Sequence, residues 1–300
     1  MQWLMLTVLL AIVFYLLLLV VTPKGNLLHE ILHLPIYTWQ MQTTPIKNIN
    51  VEKIPFGKHR RQYLLFVEPN NRPVDKDKII IYYHGGGWMF GNPKQFIINA
   101  TYFAARGYTV IMPCYRCLPF HRFKTIREDL NLAIQKSLEL MAKKNIGHKK
   151  IILGGMSAGA NLAALILLDK EELEKIPFSQ NQFSGLMLFG GPLNLDEMAK
   201  TPLLRAYAGP RESPSFQKAS PFFHLNEKLS LPIFMVHSTK DGLVHYRNSY
   251  TFYKKLQDLC IQKISFHTIE SGTHLDAGRW VFDELPVSRW LDEWLEIDDE

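Results

Sequence analysis

Residues 151–168 read IILGGMSAGANLAALILL. The stretch opens on a short apolar run that suits a strand buried on both faces. It closes on an alanine- and leucine-rich run that suits a buried helix. Between them lies Gly155-Met156-Ser157-Ala158-Gly159, a G-x-S-x-G. Small residues on either side permit the sharp turn that lifts a serine hydroxyl clear of the backbone, and the helix starting there aims its N–H groups at any oxyanion formed nearby. Glycine and serine are common, so the pattern gains force only from its strand–turn–helix setting and from what surrounds it.

Upstream by 73 residues, His84-Gly85-Gly86-Gly87-Trp88 follows the apolar run IIIYY. Consecutive glycines let a chain turn tightly and bring bare N–H groups against a ligand. A plain flexible turn is the alternative, and phosphate binding would call for the P-loop lysine pattern, which is missing. Downstream, a serine hydroxyl needs a base, and the base needs an orienting carboxylate. On a strand–turn–helix elbow the chain order is Ser, then Asp or Glu, then His. The run IFMVH leads into STKDGLV, which offers Asp241, and ISFHTI leads into ESGTHLDAG, which offers His274. Both sit in turn-forming residues just past a strand, where the functional side chains of open sheets collect. Glu270 and Asp276 lie too close in chain to His274 to orient it, and His237 falls within its strand and reads as packed.

Seven strands are predicted, at Tyr63–Val67, Ile79–Tyr83, Thr109–Pro113, Ile151–Gly154, Gly185–Phe189, Ile233–His237 and Ile264–Ile269. Helices are predicted at Gln95–Ala105, Ile126–Lys144, Ala158–Leu168, Tyr246–Leu259 and Arg279–Trp294. This alternation predicts an α/β fold with a mostly parallel central sheet and helices on both faces. Residues 192–230 break the rhythm with prolines and mixed polarity, and read as a small cap inserted between two strands.

The chain has 300 residues, 47% apolar and 21% charged, with a net charge of +6. That balance is globular and excludes wholesale disorder. The basic cluster Lys58-His59-Arg60-Arg61 reads as a solvated loop, not a nucleic-acid surface. Three cysteines argue against a disulfide framework. Cys114 and Cys117 form a C-x-x-C with no second pair to complete a zinc site, and they read as ordinary packing.

Residues 3–21, WLMLTVLLAIVFYLLLLVV, carry no charge. As a helix they reach about 28 Å, close to the hydrocarbon thickness of a bilayer. A cleavable leader would want a basic start and a small-x-small cleavage site; MQW and VVTPKG supply neither. The reading is therefore an uncleaved, single-pass transmembrane helix (1–22), a juxtamembrane segment (23–62) and a catalytic domain (63–300). Lys24 and the basic residues from Lys47 onward lean toward a cytoplasmic catalytic domain. Just after the span, HEILH (29–33) matches the H-E-x-x-H of zinc peptidases, with His29 and His33 as ligands and Glu30 as base. Pro35 is expected to end that helix, no third ligand is placed downstream, and Leu27, Leu28, Ile31, Leu32 and Leu34 form a stripe suited to rest on a bilayer or on the domain. The match is read as accidental, and no metal is assigned.

With these residues the chain resembles the hormone-sensitive-lipase-like group of α/β-hydrolases, which includes arylacetamide deacetylase and many carboxylesterases. The resemblance runs from about Ile79 to Leu295. HGGGW (84–88) is similar to the group's oxyanion-hole motif, GMSAG (155–159) to its nucleophile elbow, and Tyr115-Arg116-Cys117-Leu118-Pro119 with Glu128-Asp129 to a further paired motif. Ala219-Ser220-Pro221 resembles the end of its cap insertion. Met156, Ala160, Cys117, Leu118 and His245 depart from the usual residues and bear on pocket shape. The resemblance implies an α/β-hydrolase fold and two-step acyl transfer without a cofactor. Ser157 attacks an ester, His274 is the base, Asp241 orients it, and the N–H groups of Gly85, Gly86 and Ala158 hold the oxyanion. Trp88, Met89, Phe90 and Met156 flank the motifs and are expected to form an apolar substrate pocket. The substrate expected is a small-molecule or lipid ester. An amide hydrolase is the alternative, and a non-catalytic hydrolase-fold binding protein a further one, disfavoured because His274 is retained.

Overall fold

The computed structural model describes residues 2–70, 76–176, 182–226, 229–284 and 286–296. Its strands are β1 (Ile49–Pro55), β2 (Tyr63–Pro69), β3 (Lys78–Tyr83), β4 (Thr109–Pro113), β5 (Lys150–Met156), β6 (Phe183–Phe189), β7 (Ile233–Ser238) and β8 (Ile264–Ile269). They form one sheet in the order β1-β2-β4-β3-β5-β6-β7-β8. β1 and β2 pair antiparallel, as do β2 and β4, and every other pairing is parallel. The seven predicted strands are all present. The edge strand β1 is added to them; its mostly exposed INVEKIP has no apolar run to reveal it.

Alternation along β3 shows how the layers form. Ile79, Ile81 and Tyr83 join one buried cluster, while Ile80 and Tyr82 join another on the opposite face. The first face is covered by α4 (Phe123–Lys143) and α5 (Ala158–Leu168). Every residue of α5 is buried, so its apolar composition on all sides matches its place. The second face is covered by α3 (Ile97–Ala105) and by the carboxyl-terminal segment, where fully buried Trp280 packs against Tyr82, Phe103 and Phe189.

Two helix expectations change. The single helix expected at Arg279–Trp294 is broken into 3-10 turns at Leu275–Phe282 and a helix at Val287–Leu295. Asp283 adopts a left-handed conformation (φ 57°), and Pro286 lacks the N–H that a continuous helix would use. Conversely, α2 (Leu27–Thr43) runs straight through Pro35. Proline forfeits one helical bond there, and burial of Tyr37 and Met41 beyond it holds the helix against the domain.

The stretch between β6 and β7 contains a 3-10 turn, two short helices at Pro202–Ala208 and Pro214–Ala219, and a second 3-10 turn at Pro221–His224. Asn161 of α5 pins this stretch down. Its Nδ2 donates to Pro192 O (3.0 Å) and Ala219 O (3.1 Å), and its Oδ1 accepts from Tyr207 Oη (2.8 Å). At the amino end, α1 (Gln2–Val21) leaves its apolar side chains exposed. Among the described residues it is the one helix long and apolar enough to cross a membrane, with a mean hydropathy of 3.1.

Candidate active site

Ser157 sits where β5 ends and α5 begins, at φ 55° and ψ −124°. A residue with a β-carbon is strained there by roughly 1–3 kcal/mol, so neighbours must hold it. They do so by close backbone approach. A β-carbon on Gly159 would lie 2.1 Å from Tyr83 O, and one on Gly155 would lie 2.4 Å from the Gly159 carbonyl. Only glycines let β3, β5 and the first turn of α5 meet this closely. Ser157 N donates to Phe189 O (2.8 Å), tying the turn to β6.

Asp241 follows β7 and is buried. Its Oδ1 accepts from the backbone N–H groups of Leu243 (2.9 Å) and Val244 (2.7 Å), and its Oδ2 accepts from His274 Nδ1 (2.6 Å). His237 Nε2 lies 3.2 Å from the same Oδ2. That imidazole is packed as expected, bonded also to Val244 O (2.8 Å) and Ser249 Oγ (2.7 Å), but it faces the carboxylate too. Burial alone would raise the Asp241 pKa; the His274 and His237 rings outweigh it and hold the carboxyl well below the usual range. For His274, burial opposes the charged ring, but the Asp241 carboxylate and its hydrogen bond prevail, with a smaller push from Glu30, so the pKa is raised above 6.5. With Nδ1–H given to Asp241, Nε2 is left as the basic nitrogen.

Ser157 and His274 line one cavity of about 160 Å³, together with Gly85, Gly86, Gly87, Phe90 and Met156. Gly85 lies against the serine: a β-carbon on it would come 3.4 Å from Ser157 Cβ. Gly86 has φ 120°, and its carbonyl accepts from the N–H groups of Met89 and Phe90 (both 3.0 Å), which closes the glycine turn. The N–H of Ala158 belongs to the first turn of α5 and is not claimed by that helix. Gly85 and Gly86 line the cavity beside Ser157, and Ala158 directly follows it in the chain.

Beneath the glycine turn, buried His84 is stacked on Tyr115, with ring centroids 4.4 Å apart. Burial lowers its pKa to about 3, so it stays neutral and spends Nδ1–H on Gly85 O (2.8 Å). Tyr115 Oη donates to His84 O (2.9 Å). Asp129 in turn accepts from Arg116 N (2.7 Å) and Gln62 Nε2 (2.8 Å), which fixes the Tyr115 loop. Cys114 and Cys117 are both buried and free, and burial pushes the Cys117 thiol up to about 11.

Of the four predicted pocket residues, Phe90 and Met156 line the cavity, whereas Trp88 and Met89 do not. Trp88 is buried against Tyr207, their rings stacked 3.9 Å apart, and Met89 is exposed at the surface. The other wall comes from α2, through Leu34, Tyr37, Thr38 and Met41. The leucine stripe was the sole sequence signal for it. HEILH sits on this same helix. His29 Nδ1 bonds to Thr22 O and His33 Nδ1 to His29 O (2.8 Å each), and Glu30 accepts backbone N–H groups. Among the described residues no three His, Cys, Asp or Glu side chains gather as a metal site.

Fold and geometry together define an α/β-hydrolase. Residues 66–256 match the BD-FAE family model, and the chain belongs to that family. It is 28% identical over 129 residues to arylacetamide deacetylase-like 2 of Homo sapiens, covering 40% of this chain and 32% of that protein. It is 26% identical over 185 residues to carboxylesterase 20 of Arabidopsis thaliana, covering 56% of each. The chain thus spans about a third of the first of these relatives and about half of the second. Esterase B of Lactobacillus rhamnosis, inhibited with a tributyrin phosphonate, superposes with a TM-score of 0.72 at 17% identity, covering 87% of this chain and 89% of that one.

Gly159→Ala forces the Tyr83 carbonyl and α5 apart. It is expected to destabilise the protein by roughly 1–3 kcal/mol in urea unfolding, as overpacking of a tight site does. A midpoint unchanged from wild type would show that the elbow is not held by this contact.

Proposed function

We propose that the protein is a serine carboxylic ester hydrolase that works through an acyl-enzyme. One observation carries the reading: Ser157, on its strained turn, shares a cavity wall with His274, whose Nδ1 is bonded to buried Asp241 at 2.6 Å. In the proposed mechanism His274 Nε2 takes the Ser157 proton as Oγ attacks the ester carbonyl. Asp241 holds the ring and stabilises its charged form. The N–H groups of Gly85, Gly86 and Ala158 receive the oxyanion. The imidazolium then protonates the leaving alcohol, and water, activated by the same nitrogen, releases the acid. No cofactor enters the scheme.

The apolar lining by Leu34, Met41, Phe90, Phe96, Met156 and Leu275 suits an apolar acyl group. At about 160 Å³ the cavity is small beside the several hundred Å³ usual for ligand pockets, which favours short acyl chains. We read α1 as a membrane anchor that keeps the site beside esters partitioned into lipid. An amide substrate is the second reading. It is favoured by the likeness to arylacetamide deacetylase-like 2, because the same constellation cleaves either bond.

On a p-nitrophenyl ester series, butyrate is expected to turn over faster than laurate. Ser157→Ala is expected to lower kcat by a factor on the order of 10⁴ or more, leaving EDTA without effect on the wild type. Undiminished turnover in Ser157→Ala, or loss on chelation, contradicts the proposal.

The base works unprotonated, so kcat/KM rises with pH through the free-enzyme pKa of His274. Because that pKa is raised, the acid limb is expected above 6.5. Asp241→Asn removes the main raising charge; it should move the limb downward and lower kcat by about 10⁴. A limb below 6.5 in the wild type speaks against the assigned pair.

A further inference from the structure

Glu30 lies in the amino-terminal segment, 244 residues before His274, yet it is 1% exposed and joined to the site from behind. Its Oε1 accepts from the backbone N–H of His274 (2.8 Å) and from that of Gly242 (3.0 Å). Gly242 directly follows Asp241. One carboxylate oxygen thus bridges the two loops that carry the acid and the base, beyond the bonds from Lys240 N to Gly272 O (2.9 Å) and from Ser271 N to Thr239 Oγ1 (2.8 Å) that join the same loops nearer the sheet. Charge-assisted bonds of this kind are stronger than neutral ones, and the buried N–H of His274 is left without an acceptor if Glu30 withdraws.

The rest of α2 makes this bridge conditional on docking. A β-carbon on Gly242 would lie 2.7 Å from the Asn26 carbonyl, so the start of α2 is pressed directly onto the Asp241 loop. Asn26 caps the helix by accepting from Leu28 N (2.8 Å). One to three turns beyond Glu30, Leu34, Tyr37, Thr38 and Met41 form the cavity wall, and Tyr37 Oη donates to Gly278 O (3.3 Å) on the His274 segment. On its other side α2 is held to α1: Tyr15 Oη donates to Leu32 O (2.6 Å), and His29 Nδ1 donates to Thr22 O (2.8 Å).

We infer that Glu30 is a positioning residue that clamps the Asp241 and His274 loops into register, so that the helix next to the membrane span completes the active site. The inference rests on the esterase reading for its kinetic consequence but not for its structural one. Glu30 touches no reacting atom. It sets where the imidazole stands relative to Ser157, and a displacement on the order of 1 Å costs roughly 100-fold in rate.

The experiment uses the full chain in detergent micelles, with two readouts. The first is the far-downfield proton resonance of the His274 Nδ1–H bond, assigned by its absence in Asp241→Asn. The second is steady-state hydrolysis of p-nitrophenyl butyrate. Glu30→Ala is expected to broaden or abolish the resonance and to lower kcat roughly 10- to 100-fold with KM changed less than about threefold. Glu30→Gln keeps an acceptor oxygen for both N–H groups, and Glu30 Oε2 has no partner for its amide nitrogen to displace. It should retain the resonance and stay within about threefold of wild-type kcat. If Glu30→Ala does not fold, Glu30→Asp keeps the charge but withdraws the oxygen by one methylene, and should show the same losses. A wild-type resonance and kcat in Glu30→Ala overturns the inference, as does a loss of kcat that only follows the folded fraction while the resonance persists. Absence of ester turnover in the wild type, with a resonance that still depends on Glu30, removes the esterase reading and leaves the clamp standing.

Discussion

A carboxylate inside this protein has to be surrounded by donors, and Asp241 is the one on which the others depend. An unpaired buried charge costs several kcal/mol, so the fold delivers donors from three directions. Two N–H groups come from its own turn, an imidazole from the end of β8, and a second imidazole, His237, from within β7. Meeting that requirement places the loops after β7 and β8 side by side at the carboxyl edge of the sheet. There they face the turn after β5 and the glycine run after β3. Ser157 reaches this edge because the parallel register of β3, β5 and β6 brings their ends together.

Sterics complete what the charge begins. Gly155, Gly159 and Gly85 remove the side chains that would keep three backbone segments apart, and the strain at Ser157 is held by that contact. The result is a floor made of a strained serine, the glycine turn beside it and a neutral His84 wedged beneath that turn. The roof is different in kind. It is α2, joined to the rest of the domain by the buried Glu30 carboxylate, the Tyr37 hydroxyl and a few apolar side chains, and joined on its other face to α1.

The floor was legible in the sequence and the roof was not. Ser157, Asp241 and His274 could be picked out because each lies just past an apolar run, in the order such a sheet imposes. The glycine run could be picked out because successive glycines have few other uses beside a strand end. Trp88 shows the limit: adjacency to a motif says nothing of where a side chain points, and this one turns away to stack on Tyr207. β1 has too little apolar periodicity to be seen. The wall formed by Leu34, Tyr37, Thr38 and Met41 depends on contacts across most of the chain, which periodicity cannot encode. Glu30 drew notice only through the HEILH spelling. Its two backbone bonds give that residue a different use from the one its motif suggests, and Pro35, expected to stop the helix, lies inside it.

In the proposed mechanism Ser157 is the one side chain acylated in turnover. This is tested most directly by intact-protein mass spectrometry after treatment with an alkyl fluorophosphonate, followed by peptide mapping. A single adduct is expected, on the peptide bearing Ser157, and its formation is expected to be slower in Asp241→Asn. An adduct on another residue, or none while ester hydrolysis continues, would contradict that mechanism.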